Sequence, residues 1–266
     1  MQKMKGAFIG FIRPSDEDFW ENIEQLGKLG YQGFEGMRGV LNAQGEDGVK
    51  RMKDLGLTTL TCGSGIAEVK EGFEKAIADA KKIGAPSITV YNCNIISGMR
   101  GQLISYDEYM QDVAAMQKAA EMAKAEGLEF WYHNHNSEFA INYGGPTAMD
   151  MMLREAEDIH MMLDIGWCSL GGADPIQFMK RWKNRMRMLH VKDYQDATWR
   201  PAWGQKYFYA FTTPGTGVVD VRGCMKEACE QGLTWASFEM DSMNELSPML
   251  SLQTAYCNMK EYGLME

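Results

Sequence analysis

Short apolar, β-rich runs alternate with amphipathic helical stretches along the whole chain, and this alternation limits the fold more than any other feature. The runs fall at residues 6–12, within 30–35 after a glycine-closed helix end, and at 57–62, 87–91, 128–133, 159–164, 186–191 and 234–239. Helical patterns lie between them at 18–29, 73–83, 106–126, 175–182 and 221–231. Glycine stops separate helix from strand, as in Gly30-Tyr31, Glu126-Gly127-Leu128 and Gln231-Gly232-Leu233, and Pro14-Ser15-Asp16 reads as a turn and cap before the first helix. Strict alternation implies parallel strands joined by crossover helices. Eight units without a linker predict one closed (β/α)8 barrel over residues 1–266, close to the usual length of about 250 residues. The alternative, a doubly wound sheet, lacks the G-x-G-x-x-G fingerprint after its first strand.

One connection is long. Residues 194–217 carry Tyr194, Trp199, Trp203, Tyr207, Phe208, Tyr209 and Phe211 and end in Thr213-Pro214-Gly215-Thr216-Gly217. A loop of this length after a barrel strand sits at the C-terminal face, where barrel active sites lie. It reads either as a sugar-stacking lid or as packing against the barrel or a second subunit. Gly215-x-Gly217 is too short to cradle a phosphate and reads as a turn before the next helix.

Composition narrows the function classes. A net charge of −9 argues against a nucleic-acid partner, which clustered Lys and Arg would attract. No apolar run reaches the roughly 18 residues of a membrane span, and the N-terminus lacks a signal-peptide pattern. The six cysteines are scattered without a C-x-x-C pair, so neither a zinc ribbon nor a disulfide framework is expected and a cytoplasmic setting is the default. The 22 methionines read as adaptable core packing. A homo-oligomer is compatible with the chain.

Ionisable residues end the last four apolar runs, where barrel catalysts are expected: His133 and His135, Asp164, His190 and Lys192, then Glu239. Alternate residues of a strand share a side, so Met186, Met188, His190 and Lys192 form one face. If those methionines fill the barrel, the imidazole and ammonium line its mouth. His133, Asp164, His190 and Glu239 then converge as two imidazoles and two carboxylates, an N/O set suited to Mn²⁺, Co²⁺, Zn²⁺ or Fe²⁺. His135, Glu138 and Glu239 are the candidate proton-transfer groups. Lys192, Trp167 and Glu35 are candidates for substrate contact, with a solvent-reaching rim lysine as the plain alternative for Lys192 and a buried helix cap or salt bridge for Glu35.

The motifs Tyr132-His133-Asn134-His135-x-x-Glu138-Phe139, Leu163-Asp164-x-Gly166-Trp167, Gly172-x-Asp174-Pro175, His190-x-Lys192-Asp193 and Gly215-x-Gly217-x-x-Asp220 resemble the xylose isomerase-like barrel superfamily over essentially the whole chain. That resemblance implies metal-dependent enolate chemistry on a keto-sugar or 3-keto-glycoside, by isomerases and epimerases or by related dehydratases and lyases. In the ketose 3-epimerases a Glu, Asp, His, Glu set ending strands five to eight holds the metal. Asp164, His190 and Glu239 match three of these, but His133 stands where the first Glu would be. Trp167 likewise replaces a metal-site histidine. The pattern is nearer the 2-keto-myo-inositol dehydratase and keto-glycoside branches, in which a histidine at the position of His135 is the implied base. Two other readings stay open: a DNA-repair endonuclease, which would need more metals and a basic groove, and a barrel that binds a sugar without turnover.

Overall fold

The computed structural model describes residues 2–9, 12–100, 102–195, 211–241 and 246–266. Parallel pairing joins β1 (Lys5–Phe8), β2 (Gly33–Phe34), β3 (Thr58–Thr59 with Cys62–Ser64), β4 (Ser87–Val90), β5 (Glu129–His133), β6 (Ile159–Asp164), β7 (Met186–Val191) and β8 (Trp235–Phe238). The two pieces of β3 lie at opposite ends of the sheet order but are separated in sequence only by Leu60 and Thr61. They are halves of one extended run, so the sheet closes on itself. The closed (β/α)8 barrel predicted from the alternation is the fold.

Helices pack their apolar stripes against the outside of the sheet. In Phe19–Leu29 the buried residues are Phe19, Ile23 and Leu26, and in Glu74–Ile83 they include Ala76, Ile77, Ala80 and Ile83, the spacing of one helical face. Tyr106–Ala125 starts on a capping box in which Ser105 and Glu108 satisfy each other's backbone N–H. Asp16 plays no such part: it accepts from Arg13 N in a turn, and the first helix starts after Asp18 without a side-chain cap. Two more long helices, Met37–Asp54 and Pro248–Glu261, were not apparent from the sequence. In the first, Gly39, Gly45 and Gly48 dilute the pattern.

Inside the barrel, Ala7, Leu60, Trp131, Met162 and Met188 pack together, with Tyr91 and Trp235 against them. Met188 fills the interior as expected, but Met186 joins the outer cluster beneath the helices. The reason is a bulge: Met161 pairs with Met186 while Met162 pairs with Met188. Arg187 is thus an extra residue that resets the parity. Its guanidinium bonds Glu129 and reaches His160 Nε2 at 3.0 Å, at the N-terminal end of the barrel. Above the bulge, the alternation delivers Met188 and His190 inward in register with Met162 and Asp164.

Candidate metal and active site

Four side chains meet where β5 to β8 end. His133, Asp164, His190 and Glu239 each offer one N or O atom, all within 4.8 Å of one another. Asp164 closes β6 and caps the short helix Ile165–Leu170 by accepting from Trp167 N at 2.7 Å. Its other oxygen, Oδ2, lies 3.1 Å from Lys192 Nζ but makes no hydrogen bond. The buried His133 Nδ1 is equally unpartnered. β8 stops one residue before Glu239, whose backbone N still donates to Val191 O. Two imidazoles and two carboxylates, with orphaned polar atoms among them, fit a divalent transition metal. Among the described residues this is the one such group.

Electrostatics tie the cluster together. His190 is fully buried, with Nδ1 2.8 Å from Glu239 Oε2 and Nε2 2.8 and 2.9 Å from the two oxygens of Glu35. Burial would lower its pKa, but the flanking Glu35 and Glu239 win and raise it to about 10. Asp164 is pushed up to about 6 by burial, against the pull of Lys192.

Lys192 is not a rim lysine. It is fully buried, and its ammonium lies 2.5 Å from Asp241 Oδ2, 3.1 Å from Asp164 and 3.3 Å from Glu239. Those carboxylates outweigh burial and hold it protonated. The ammonium also sits 4.9 Å from the Trp167 ring and 5.3 Å from that of Phe211. Gly166 makes this possible, because a Cβ there would come within 2.8 Å of Lys192 O and 2.9 Å of its Cβ.

The other candidates separate. The His135 ring lies beside the cluster, 5.1 Å from His133 and 5.4 Å from Trp167, with Nδ1 unpartnered. Glu138 is not one of the four donors. It is fully buried and accepts from Tyr132 OH at 2.7 Å and His135 N at 3.1 Å. Tyr132 belongs to the outer cluster, so Glu138 faces away from the barrel axis and clamps the loop that carries His135. Glu35, read as a substrate contact, is 2% exposed and engaged with His190 and Tyr91. The salt-bridge alternative for Glu35 is the one the geometry favours.

Three residues of this region have roles that the sequence did not assign. Asn134 donates to Asp164 O and accepts from Asp164 N, fixing the backbone of a donor on the next strand. Tyr91, at the end of β4, donates to Glu35 Oε2 at 2.8 Å. Asp193 accepts from the backbone N of Tyr194, Gly215, Gly217 and Val219. It thereby builds the turn expected at Gly215-x-Gly217, where a Cβ on Gly217 would lie 2.3 Å from Asp193 Oδ1. The two ends of the aromatic loop pair as an antiparallel ladder, Tyr194 with Phe211 and Asp193 with Thr212. Residues 196–210, with Trp199, Trp203, Tyr207, Phe208 and Tyr209, lie outside the described residues, and the lid reading with them.

A sequence model of xylose isomerase-like TIM barrels matches residues 23–256. The chain belongs to that family. The inosose dehydratase of Lacticaseibacillus casei is 23% identical over 137 residues, 47% of this chain and 44% of that protein. The chain thus spans less than half the length of the curated relatives it matches. Among solved structures, the IOLI protein with a bound zinc atom has a TM-score of 0.75 at 15% identity, over 97% of this chain and 98% of that one. The apo 3-keto-D-glucoside 4-epimerase of E. coli has a TM-score of 0.69 at 15% identity, over 98% and 100%. These likenesses establish the xylose isomerase-like fold. No helix among the described residues is long and apolar enough to cross a membrane.

The site predicts an acid limb of stability for the metal-free protein. Burial, then Lys192, lower His135 from 6.5 to about 4, and burial holds His133 well below the usual imidazole range. The unfolded chain takes up protons on these rings that the folded chain refuses. Their contribution is therefore full above the unfolded pKa of 6.5 and lost as pH falls toward the folded value of about 4. Urea denaturation in chelator should show stability dropping through that window. His135→Gln should flatten the drop by up to about 1.4 kcal/mol per pH unit; an unchanged slope would place the titration elsewhere.

Proposed function

We propose that this chain is a metal-dependent enzyme that moves a proton at the carbon beside a ketone on a keto-sugar or a similar polyol. The observation that carries the reading is the convergence of His133, Asp164, His190 and Glu239 within 4.8 Å at the strand ends, with His135 alongside. A divalent cation held there would supply Lewis acidity toward a ketone oxygen and its neighbouring hydroxyl. The chain's own residues do the rest. His135, with Nδ1 unpartnered, is the base beside the donor set, and Glu239 is a carboxylate within that set. Lys192 holds Asp164, Glu239 and Asp241 around one ammonium. Trp167 and Phe211, edge to face at 5.0 Å, give the apolar wall against which a sugar ring can pack. A zinc-containing neighbour of the same fold supports the metal.

The product of the proton removal depends on where the electron pair goes: reprotonation on the other face epimerises, and expulsion of a hydroxyl dehydrates. His133 favours elimination as a second reading, because it removes one of the two carboxylates that a two-Glu epimerase would use. The similarity to inosose dehydratase points the same way. The test is to load the protein with Mn²⁺, Co²⁺ or Zn²⁺, incubate it in D2O with a panel of keto-sugars and keto-polyols, and follow the C–H signals by NMR. Deuterium beside the ketone supports the proton transfer, and an epimer or an alkene product names the outcome. Absence of exchange across the panel, with metal bound, would favour the barrel that binds without turnover.

A further inference from the structure

The geometry points to Glu35 as the residue that orients His190 for metal binding, held in place by Tyr91. This rests on the metal-binding reading above and gives Glu35 a role other than substrate contact.

The two nitrogens of one imidazole take different roles. A neutral imidazole carries its proton on one nitrogen and its lone pair on the other, and the partner of the first decides which is which. Glu35 sets both carboxylate oxygens within 2.9 Å of His190 Nε2. A carboxylate can only accept, so without metal Nε2 donates to Glu35 and Nδ1 donates to Glu239 Oε2 at 2.8 Å. Glu239 is itself one of the four donors, so a cation among them would take the Nδ1 lone pair in place of that proton and leave Nε2–H on Glu35. Metal-ligating histidines are commonly held in this way by a carboxylate behind the ring, which fixes both tautomer and orientation.

Glu35 is in turn fixed. It follows β2, its backbone N donates to Phe8 O, and its Oε2 accepts from Tyr91 OH at the end of β4. Tyr91 also places its ring 5.4 Å from His133 and 6.3 Å from His190, so one side chain braces both imidazoles of the donor set. Glu35 and Tyr91 therefore act through His190, as positioning residues.

The experiment uses the full chain stripped with chelator and titrated with Zn²⁺, for wild type, Glu35→Gln, Tyr91→Phe and, as a control that leaves Glu35 untouched, Asp164→Asn. Glu35→Gln is expected to bind Zn²⁺ about 10–100-fold more weakly, and Tyr91→Phe more weakly by a smaller factor, with circular dichroism unchanged. In the Zn²⁺-loaded wild type, two-bond ¹H–¹⁵N spectra should show His190 protonated on Nε2 and metal-bound through Nδ1. Wild-type affinity in both Glu35→Gln and Tyr91→Phe, with Asp164→Asn impaired, overturns the role of Glu35 and leaves the metal site standing. A wild type that binds no Zn²⁺, Mn²⁺ or Co²⁺ removes the metal site and this role together. If Glu35→Gln does not fold, Tyr91→Phe and the spectra decide, and metal on Nε2 overturns the proposal.

Discussion

Asp164→Asn is expected to weaken divalent-metal binding by more than about 100-fold while the barrel stays folded. The magnitude follows from comparison, since residues that merely support a ligand already cost about 10–100-fold when removed. The fold should survive because the substitution keeps the shape and the Oδ1 acceptor that caps Ile165–Leu170 through Trp167 N, and Asn caps helices as well as Asp. What changes is Oδ2, which makes no hydrogen bond but faces Lys192 Nζ at 3.1 Å, an ammonium that keeps Glu239 and Asp241 as partners. An amide there would turn donors toward Lys192 and the cation site alike. His190→Ala is the less clean variant, although a mouth residue reads from sequence as nearly neutral for the fold. His190 is fully buried between Glu35 and Glu239, and breaking a buried ion pair costs about 3–5 kcal/mol. Calorimetric titration with Mn²⁺, Co²⁺ and Zn²⁺, beside thermal unfolding, makes the measurement. Asp164→Asn with wild-type affinity for all three would remove Asp164 from the donor set.

His135→Gln is expected to slow solvent deuterium exchange beside the ketone by about 10²–10⁴-fold, the usual contribution of a positioned proton-transfer group, with metal binding close to wild type. The contrast that gives this force is Glu138→Gln. Glu138 accepts from Tyr132 OH and His135 N and is absent from the donor group, so its loss should act through stability and through the placement of His135. A smaller rate defect with a lowered melting temperature is the expected result. If both variants exchange at the wild-type rate, His135 is not the base and Glu239 is left to act alone.

The sequence carried the strands that matter most. The runs at 159–164 and 186–191 match β6 and β7 residue for residue, each with four apolar residues in six. The weaker runs moved: β2 shrank to Gly33–Phe34 and β3 broke at Leu60-Thr61, where few residues pair. The convergence of the four candidate ligands was legible too. In a parallel barrel, residues that end successive strands on the inward parity must face one axis, so His133, Asp164, His190 and Glu239 could be read from position alone.

What position could not give was the partner of each group. Glu35 and His190 are 155 residues apart in sequence and Lys192 and Asp241 are 49 apart, and no periodicity encodes such pairs. Nor could it reveal the Arg187 bulge, which turned Met186 outward while leaving His190 in place. Between bulges, the amino-acid alternation sets which side of the sheet a residue takes. Tertiary closure decides which charges meet and how far water is excluded from them. That is why Lys192 became a buried cation among three carboxylates and Glu138 a loop clamp. Desolvation and Coulomb attraction depend on distance through space, and only the closed barrel sets that distance.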